Sequence, residues 1–263
     1  MYSCVLRNRP LKSGVFHERM KRLFAIVGPT GIGKSRLAIH LAALFHGEII
    51  GADSRQVYRF LNIGTAKPSP KELSQIPHHL IDFLNPNDDF SLASYQELAY
   101  DAIADVIARD RLPFLVGGSG LYVKAVLEGW QIPKVTPDLR YRNHIEKKTS
   151  EAGIDELYEE LKRVDPRAAE KIDRRNVRRM IRALEVFKKT DKQFSELGSK
   201  KPPPFKSNII GLTTDRTTLC RIVDRRVDEM IDGGLVQEVE KLLNMGYDLN
   251  LPSMSSIGYH TPY

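Results

Sequence analysis

The chain has little cysteine and no long apolar run. Cys4 and Cys220 are the only cysteines in 263 residues, and neither has Cys or His neighbours at metal-ligand spacing, so a disulfide framework and a zinc site are both unsupported. A reducing compartment is the simpler interpretation, and we expect a cytoplasmic protein. No apolar run approaches the length needed to span a bilayer, and none resembles a signal peptide, so no membrane partner is expected.

Acidic residues are scarce at the N-terminus, where Glu18 is the only acid within residues 1–22. This stretch also lacks apolar periodicity, and we expect residues 1–19 to be a non-structural extension; an organellar transit peptide is the alternative. Over the whole chain the formal net charge is +7. That balance permits a polyanionic partner such as nucleic acid, but surface solubility would explain it equally well.

A phosphate-binding loop is the strongest local signal. A branched apolar run at residues 23–27 is followed by GPTGIGKS and then by a helix-like segment, which fits G-x-x-x-x-G-K-[ST] between a strand and a helix. Such a loop binds phosphate through backbone N–H groups, a lysine and a helix N-terminus, while its last hydroxyl can ligate Mg²⁺. A chance match in an ordinary Gly-containing turn is the alternative. The predicted diphosphate-binding residues are Gly28, Pro29, Thr30, Gly31, Ile32, Gly33, Lys34 and Ser35, with Ser35 as the metal ligand.

The chain around this loop predicts an α/β fold, a parallel sheet of the P-loop NTPase type flanked by helices. Further short apolar runs end at Asp53 and at Gly117, and the carboxyl ends of parallel strands form the ligand crevice. Asp53 is therefore expected near the loop, although it could instead cap a helix. The second run ends in Gly-Gly-Ser, where a P-loop ATPase usually has an Asp for Mg²⁺. ATP hydrolysis is therefore not the favoured function.

A charged, mostly helical segment interrupts this pattern. We predict a P-loop core in residues 20–130 and 202–263, with a helical insertion at 131–201. Within the insertion, arginines recur at i, i+3, i+4 and i+7, namely Arg175, Arg178, Arg179 and Arg182. They share one helix face, opposite an apolar face that includes Met180 and Ile181. Contact with a phosphate backbone is favoured over a merely solvated face.

Taken together, these segments resemble the tRNA dimethylallyltransferase (tRNA isopentenyltransferase) family. The resemblance covers about residues 20–259 and rests on GPTGIGKS (28–35), ADSRQVY (52–58), IGTAKP (63–68), HHLID (78–82), LVGGSGLY (115–122), RRMIRALEVF (178–187) and SMSSIGY (253–259). It implies transfer of a dimethylallyl group from dimethylallyl diphosphate to N6 of adenosine 37 in tRNA. The loop would then hold a diphosphate leaving group, which accounts for the missing strand-end Asp.

The resemblance also implies roles for individual residues. Asp53 matches the acid that accepts the N6 proton, and Lys34 and Ser119 complete the expected catalytic set. Ser119 stands where most members have Thr, and Arg178 where Gln is common; the spacing before Arg140 varies in the family. The tRNA-contacting residues implied are Asp53, Ser54, Arg55, Gln56, Ser119, Arg140, Arg178, Arg179, Met180, Ile181 and Arg182.

Other functions fit parts of the pattern. An adenylate dimethylallyltransferase would use free nucleotide, a P-loop nucleotide kinase could use the same loop, and a nucleic-acid-binding module could retain a vestigial loop. We expect a monomer that uses Mg²⁺. Family members continue beyond the IGY motif, so we also expect the chain, which ends at Tyr263, to be C-terminally incomplete.

Overall fold

The computed structural model describes residues 3–5, 21–135, 138–197, 199–256 and 258–259. Most of the expected N-terminal extension lies outside this part of the chain, as do Ile257 of the SMSSIGY segment and residues 260–263. The statements below concern the described residues.

The described strands form one sheet. They are β1 (Ser3–Val5), β2 (Arg22–Val27), β3 (Gly47–Gly51), β4 (His78–His79), β5 (Leu112–Val116) and β6 (Lys206–Thr213). Their order is β1-β6-β2-β5-β3-β4, and all neighbours are parallel except β1, which pairs antiparallel with β6. The predicted parallel sheet is confirmed. The expectation that residues 1–19 lack structure is wrong at Ser3–Val5.

Helices connect the strands. Those of the sheet-containing part are α1 (Lys34–Leu44), α2 (Pro70–Gln75), α3 (Leu92–Ala108), α4 (Gly120–Glu128), α10 (Arg216–Asp232) and α11 (Leu235–Asn244), with a 3-10 turn at Pro252–Ser255. Those of the charged segment are α5 (Leu139–Ala152), α6 (Ile154–Val164), α7 (Pro166–Lys171), α8 (Val177–Thr190) and α9 (Phe194–Leu197). No helix in the described ranges is long and apolar enough to cross a bilayer.

Alternation along the strands covers both faces of the sheet. Ala25, Ile50 and Leu115 belong to a buried cluster with α3 and α4. Their chain neighbours Ile26, Ile49 and Phe114 belong to another cluster, with α1. Successive side chains of a strand point to opposite faces, so continuous apolar runs are what a sheet with helices on both faces requires.

The chain divides into two compact units, which we call the core unit (Met1–Leu127 with Pro203–Tyr263) and the helical unit (Glu128–Pro202). The sequence-based bounds of the insertion were 131 and 201. The helical unit has its own apolar centre, built from residues of α5 to α8 that include Leu161, Met180 and Leu184.

An ion network lies in the helical unit around the buried carboxylate of Glu185. Arg142 donates to both of its oxygens, at 3.0 and 2.8 Å, and the backbone N–H of Asp138 donates at 2.6 Å. Arg182, one turn before Glu185 on α8, adds a further hydrogen bond. Burial alone would raise the pKa of Glu185, but these donors outweigh it and hold the pKa at about 2.

We expect this network to make the helical unit sensitive to acid. A carboxyl whose pKa is depressed on folding stabilises the native state above its ordinary pKa of 4.5, and that stabilisation is lost as the pH falls towards about 2. Replacement of Glu185 by Gln should remove this pH dependence and, at neutral pH, cost about 3 kcal/mol, because two partly buried guanidinium groups lose their counterion.

The measurement is urea unfolding followed by the fluorescence of Trp130, the only tryptophan in the chain, which lies in the helical unit. Glu146→Gln, at an exposed position of α5, is the matched control. An unfolding midpoint that falls equally with acid in wild type and Glu185→Gln would contradict the expectation.

Candidate diphosphate and acceptor site

The predicted phosphate loop connects β2 to α1. Gly33, the N-cap residue of α1, has no side chain that could cap the helix, so the first N–H groups of α1 remain available to phosphate oxygens. The ammonium group of Lys34 donates to the carbonyls of Gly28 and Pro29, at 3.0 and 2.8 Å. Burial lowers the pKa of Lys34, Asp53 opposes this, and Arg226 adds to it.

Asp53 follows β3 and begins a turn rather than a helix. Its Oδ1 accepts hydrogen bonds from the backbone N–H groups of Arg55, at 2.9 Å, and Gln56, at 3.4 Å. Asp53 therefore does not cap a helix, which was the alternative interpretation; its side chain caps the turn that it begins. Its other oxygen, Oδ2, accepts no hydrogen bond from the residues that the structure describes, and the side chain is half-buried. One carboxylate oxygen thus fixes the turn while the other can accept a proton.

The Gly-Gly-Ser sequence after β5 brings a second strand end against this turn. A Cβ on Gly117 would lie 2.0 Å from the carbonyl oxygen of Ala52, so only glycine permits this approach of the two backbones. The N–H of Ser119 donates to the same carbonyl at 3.1 Å. The N–H of Ser54 donates to the Ser119 hydroxyl at 2.9 Å, and that hydroxyl donates to the Ser54 hydroxyl at 3.2 Å. Ser119 therefore fixes the turn that begins at Asp53.

Arg226 on α10 is a site residue that the sequence analysis missed. It is half-buried; burial lowers its pKa, whereas the charges of Asp53 and Glu229 raise it. The charges of Arg226 and Asp53 both affect the pKa of Lys34. Two cations and one carboxylate therefore lie near one another at the phosphate loop. The apolar periodicity of this segment predicts a helix, but it does not indicate that Arg226 lies near the phosphate loop.

The side chains of Arg55 and Gln56 contact the protein itself. Arg55 donates to the carbonyl of Pro252 and, at 2.8 Å, to the hydroxyl of Ser255. Gln56 donates through Nε2 to the carbonyls of Thr65 and Ala66, at 2.9 and 3.0 Å. Their contact with tRNA stays a prediction.

The four arginines that were predicted to share one helix face differ in their surroundings in the helical unit. Arg178 and Arg179 are exposed on α8, and neither has an acidic partner among the described residues. Arg175 lies before the start of α8 and pairs with Asp173 at 3.1 Å, so it does not belong to this helix face. Arg182 is half-buried by its bonds to Glu185 and, at 2.9 Å, to the carbonyl of Val135.

Two further residues predicted to contact tRNA have buried side chains. Met180 is fully buried and Ile181 is 2% exposed, because both face the apolar centre of the helical unit. Neither side chain is therefore available to tRNA in this structure, and contact of this helix segment with tRNA stays a prediction. Arg140, in the first turn of α5, is exposed, and its predicted contact with tRNA stays open.

The core unit has a P-loop fold, and its candidate site combines a phosphate loop, a turn that presents a carboxylate oxygen and a hydroxyl that fixes this turn. Comparison with known proteins narrows this class. Residues 56–262 match the family model described as IPP transferase, and residues 21–84 match the model described as Isopentenyl transferase.

Individual relatives agree with these models. The tRNA dimethylallyltransferase of Roseiflexus castenholzii is 54% identical over 237 residues, which cover 90% of this chain and 78% of that protein. The full-length tRNA isopentenylpyrophosphate transferase of Bacillus halodurans is 41% identical, with a TM-score of 0.63 and coverage of 91% of this chain and 75% of that one. A eukaryotic dimethylallyltransferase acting on tRNA is 29% identical, with a TM-score of 0.77 and coverage of 91% and 61%. The chain belongs to the tRNA dimethylallyltransferase family.

The backbone contact at Gly117 generates a stability prediction. Gly117→Ala should cost about 2 kcal/mol or more, because the new methyl group meets backbone atoms that cannot rotate away. Gly118→Ala is the control, since a Cβ there meets only Lys34 Nζ, at 3.8 Å. Urea unfolding followed by circular dichroism measures both variants; equal midpoints would contradict the proposed close approach.

Proposed function

We propose that this chain transfers the dimethylallyl group of dimethylallyl diphosphate to N6 of adenosine 37 in tRNA, giving N6-dimethylallyladenosine and diphosphate. The observation that carries the proposal is that Lys34 of the phosphate loop lies beside Gly118, next to Ser119, and that Ser119 holds the turn of Asp53, whose charge acts on Lys34. The family to which the chain belongs supports dimethylallyl transfer to tRNA. The choice of N6 and of position 37 rests on the resemblance given above.

The diphosphate would bind where positive charge is concentrated. The N–H groups of the loop, Lys34 and Arg226 provide donors to its oxygens, and they would stabilise the charge that develops as the carbon–oxygen bond breaks. Lys34 now donates to loop carbonyls, so it would exchange these contacts for the anion.

Ser35 fits a role in holding Mg²⁺. It lies exposed in the first turn of α1, and its hydroxyl is the kind of oxygen ligand that Mg²⁺ accepts alongside water and substrate phosphate. No group of three His, Cys, Asp or Glu side chains in the described part of the chain could hold a metal, so the ion would need oxygens of the diphosphate. When bound, it would add positive charge to the leaving group.

The proposed transfer balances as a substitution. The nitrogen lone pair of N6 forms a bond to C1 of the dimethylallyl group, the bond from C1 to the diphosphate oxygen breaks, and its electron pair leaves with diphosphate. The amine must lose a proton, and Asp53 Oδ2 is the acceptor we assign. The adenine must leave its stack to enter such a site.

We assign tRNA binding in the helical unit to Arg178, Arg179 and Arg140. They are exposed cations, which can neutralise backbone phosphates without reading sequence. The proposal also takes the enzyme to be a cytoplasmic monomer; sedimentation of the purified protein tests the monomer.

One assay separates this function from its alternatives. Labelled dimethylallyl diphosphate is offered with unmodified tRNA or with AMP, and ATP is offered with nucleoside monophosphates in parallel. We expect label in tRNA alone. Label in AMP but not in tRNA would indicate an adenylate dimethylallyltransferase, and phosphoryl transfer from ATP a nucleotide kinase.

Asp53→Asn should nearly abolish transfer while tRNA affinity stays within a few-fold, because the amide keeps the size and polarity of the side chain but cannot accept the proton. Single-turnover rates and tRNA binding are the measurements. Asp101→Asn, at an exposed position of α3, is the control. An Asp53→Asn variant that transfers at the wild-type rate would remove Asp53 from this role.

The helical unit gives a prediction on salt dependence. Arg178→Ala and Arg179→Ala should each weaken tRNA binding and lower the magnitude of the slope of log affinity against log salt by up to about one unit. The reason is that binding releases fewer counterions when a phosphate contact is missing. Arg182→Ala should instead destabilise the helical unit and leave the slope unchanged. Arg163→Ala, at an exposed position of α6, is the control. Slopes equal to wild type for both α8 variants would mean that this face is only solvated.

A further inference from the structure

The segment from Asn62 to Ala66 is held by a carboxylate that lies 176 positions beyond Asn62 in the chain. Glu238, in the first turn of α11, accepts hydrogen bonds from three consecutive backbone N–H groups. These come from Asn62 at 3.1 Å, Ile63 at 2.9 and 3.0 Å, and Gly64 at 3.4 Å. The negative charge also lies at the positive end of the α11 dipole. The side chain of Glu238 thus fixes the backbone of the first three residues of this loop.

Tyr259 completes this contact from the end of the described chain. Its hydroxyl donates to Glu238 Oε1 at 2.5 Å and accepts from the N–H of Gly64 at 3.1 Å. The residue is only 1% exposed, and a Cβ on Gly64 would lie 2.5 Å from its ring. Burial, followed by the neighbouring Glu238, raises the pKa of Tyr259, so the hydroxyl keeps the proton that it donates.

The same loop holds the turn of the candidate base. The carbonyls of Thr65 and Ala66 accept both hydrogen bonds of the Gln56 amide, and the backbone N–H of Gln56 donates to Asp53 Oδ1. The loop is stiffened internally, since the Thr65 hydroxyl donates to the carbonyl of Leu61 at 2.6 Å. Hydrogen bonds, together with the backbone of the loop and the Gln56 residue between them, therefore connect Tyr259 and Glu238 to Asp53.

Burial of apolar surface alone would not require this arrangement. Val57, Leu61, Leu235 and Val239 already pack in the surrounding cluster, and apolar contacts are not directional. A carboxylate bound by successive amides, and a buried hydroxyl bound on both sides, instead fix where backbone atoms lie.

We propose that Glu238 and Tyr259 are positioning residues for the transfer reaction, acting through the loop Asn62–Ala66 and the Gln56 amide to hold the turn of Asp53. This inference rests on the proposed function, which makes Asp53 the proton acceptor. Neither residue is expected to touch the diphosphate or the adenine.

The test uses Tyr259→Phe and Glu238→Gln in the full chain. Each should lower the single-turnover rate at saturating tRNA and dimethylallyl diphosphate, by about ten-fold for Tyr259→Phe and up to about a hundred-fold for Glu238→Gln, since misplacement by about 1 Å can cost that much. The affinity for dimethylallyl diphosphate should stay within about two-fold, because the phosphate loop is untouched. Tyr247→Phe and Glu240→Gln are matched controls, from the same cluster and the same helix.

A double-mutant cycle distinguishes positioning from a merely structural role. If Tyr259 acts through Gln56, adding Tyr259→Phe to Gln56→Ala should lower the single-turnover rate little further. Fully multiplicative losses would overturn the proposal. It would also be overturned if both single variants lost thermal stability while their folded fraction reacted at the wild-type rate.

Hydrogen exchange tests, independently of activity, whether Tyr259 holds the turn of Asp53. In the Tyr259→Phe variant, the amides of residues 54–57 should exchange faster than in wild type, whereas those of β5 should be unchanged. Unchanged exchange at 54–57 would overturn the proposal even in an inactive enzyme. A wild-type protein that modifies no tRNA would instead overturn the proposed function, so the two failures are distinguishable.

Discussion

The close approach of two strand ends determines the geometry of the site. With no side chain on Gly117, the backbone after β5 can contact Ala52, and this contact brings the N–H and hydroxyl of Ser119 to the turn after β3. A strand-end Asp of the kind that holds Mg²⁺ in P-loop ATPases is replaced here by backbone packing and a hydroxyl. In the proposed reaction, the neighbouring carboxylate of Asp53 would therefore serve as a proton acceptor instead of a metal ligand.

Charge in the core unit suits a reaction that releases an anion. Lys34 and Arg226 are both half-buried, and burial lowers the pKa of each. Desolvated cations interact more strongly with an incoming diphosphate than exposed ones, because less water screens them. Asp53 lies within the same field, so the carboxylate and the leaving group would share these two cations.

Much of this architecture could be predicted from local sequence. The apolar runs predicted the parallel strands, because strands covered on both faces have no polar side. The pattern at residues 28–35 predicted the phosphate loop, because its spacing fixes a strand–loop–helix geometry. The place of Asp53 could be inferred because parallel strand ends meet at one edge of a sheet, whereas Ser119 was named only through the family resemblance.

What could not be predicted depends on contacts between distant residues. Arg182 has the helical spacing of Arg178, yet Glu185 and Val135 bind it inside the helical unit, and spacing does not reveal which face a partner occupies. Met180 and Ile181 were assigned to tRNA as parts of a continuous segment, although a helix presents only alternate groups of residues to one side. Here the apolar periodicity, which placed both on the buried face, was the better guide.

Holding the Asp53 turn from the C-terminal segment also has an entropic cost, because the chain between the two must be closed into a loop. Tyr259 and Gly64 are 195 positions apart, yet the entropy of closing a loop grows only with the logarithm of its length, so each doubling of that separation costs about 0.6 kcal/mol. Most of the intervening chain is in any case ordered by its own sheet and helices. A distant anchor for the turn therefore costs little more than a near one, and its buried hydroxyl and carboxylate fix backbone positions that the turn residues cannot fix alone.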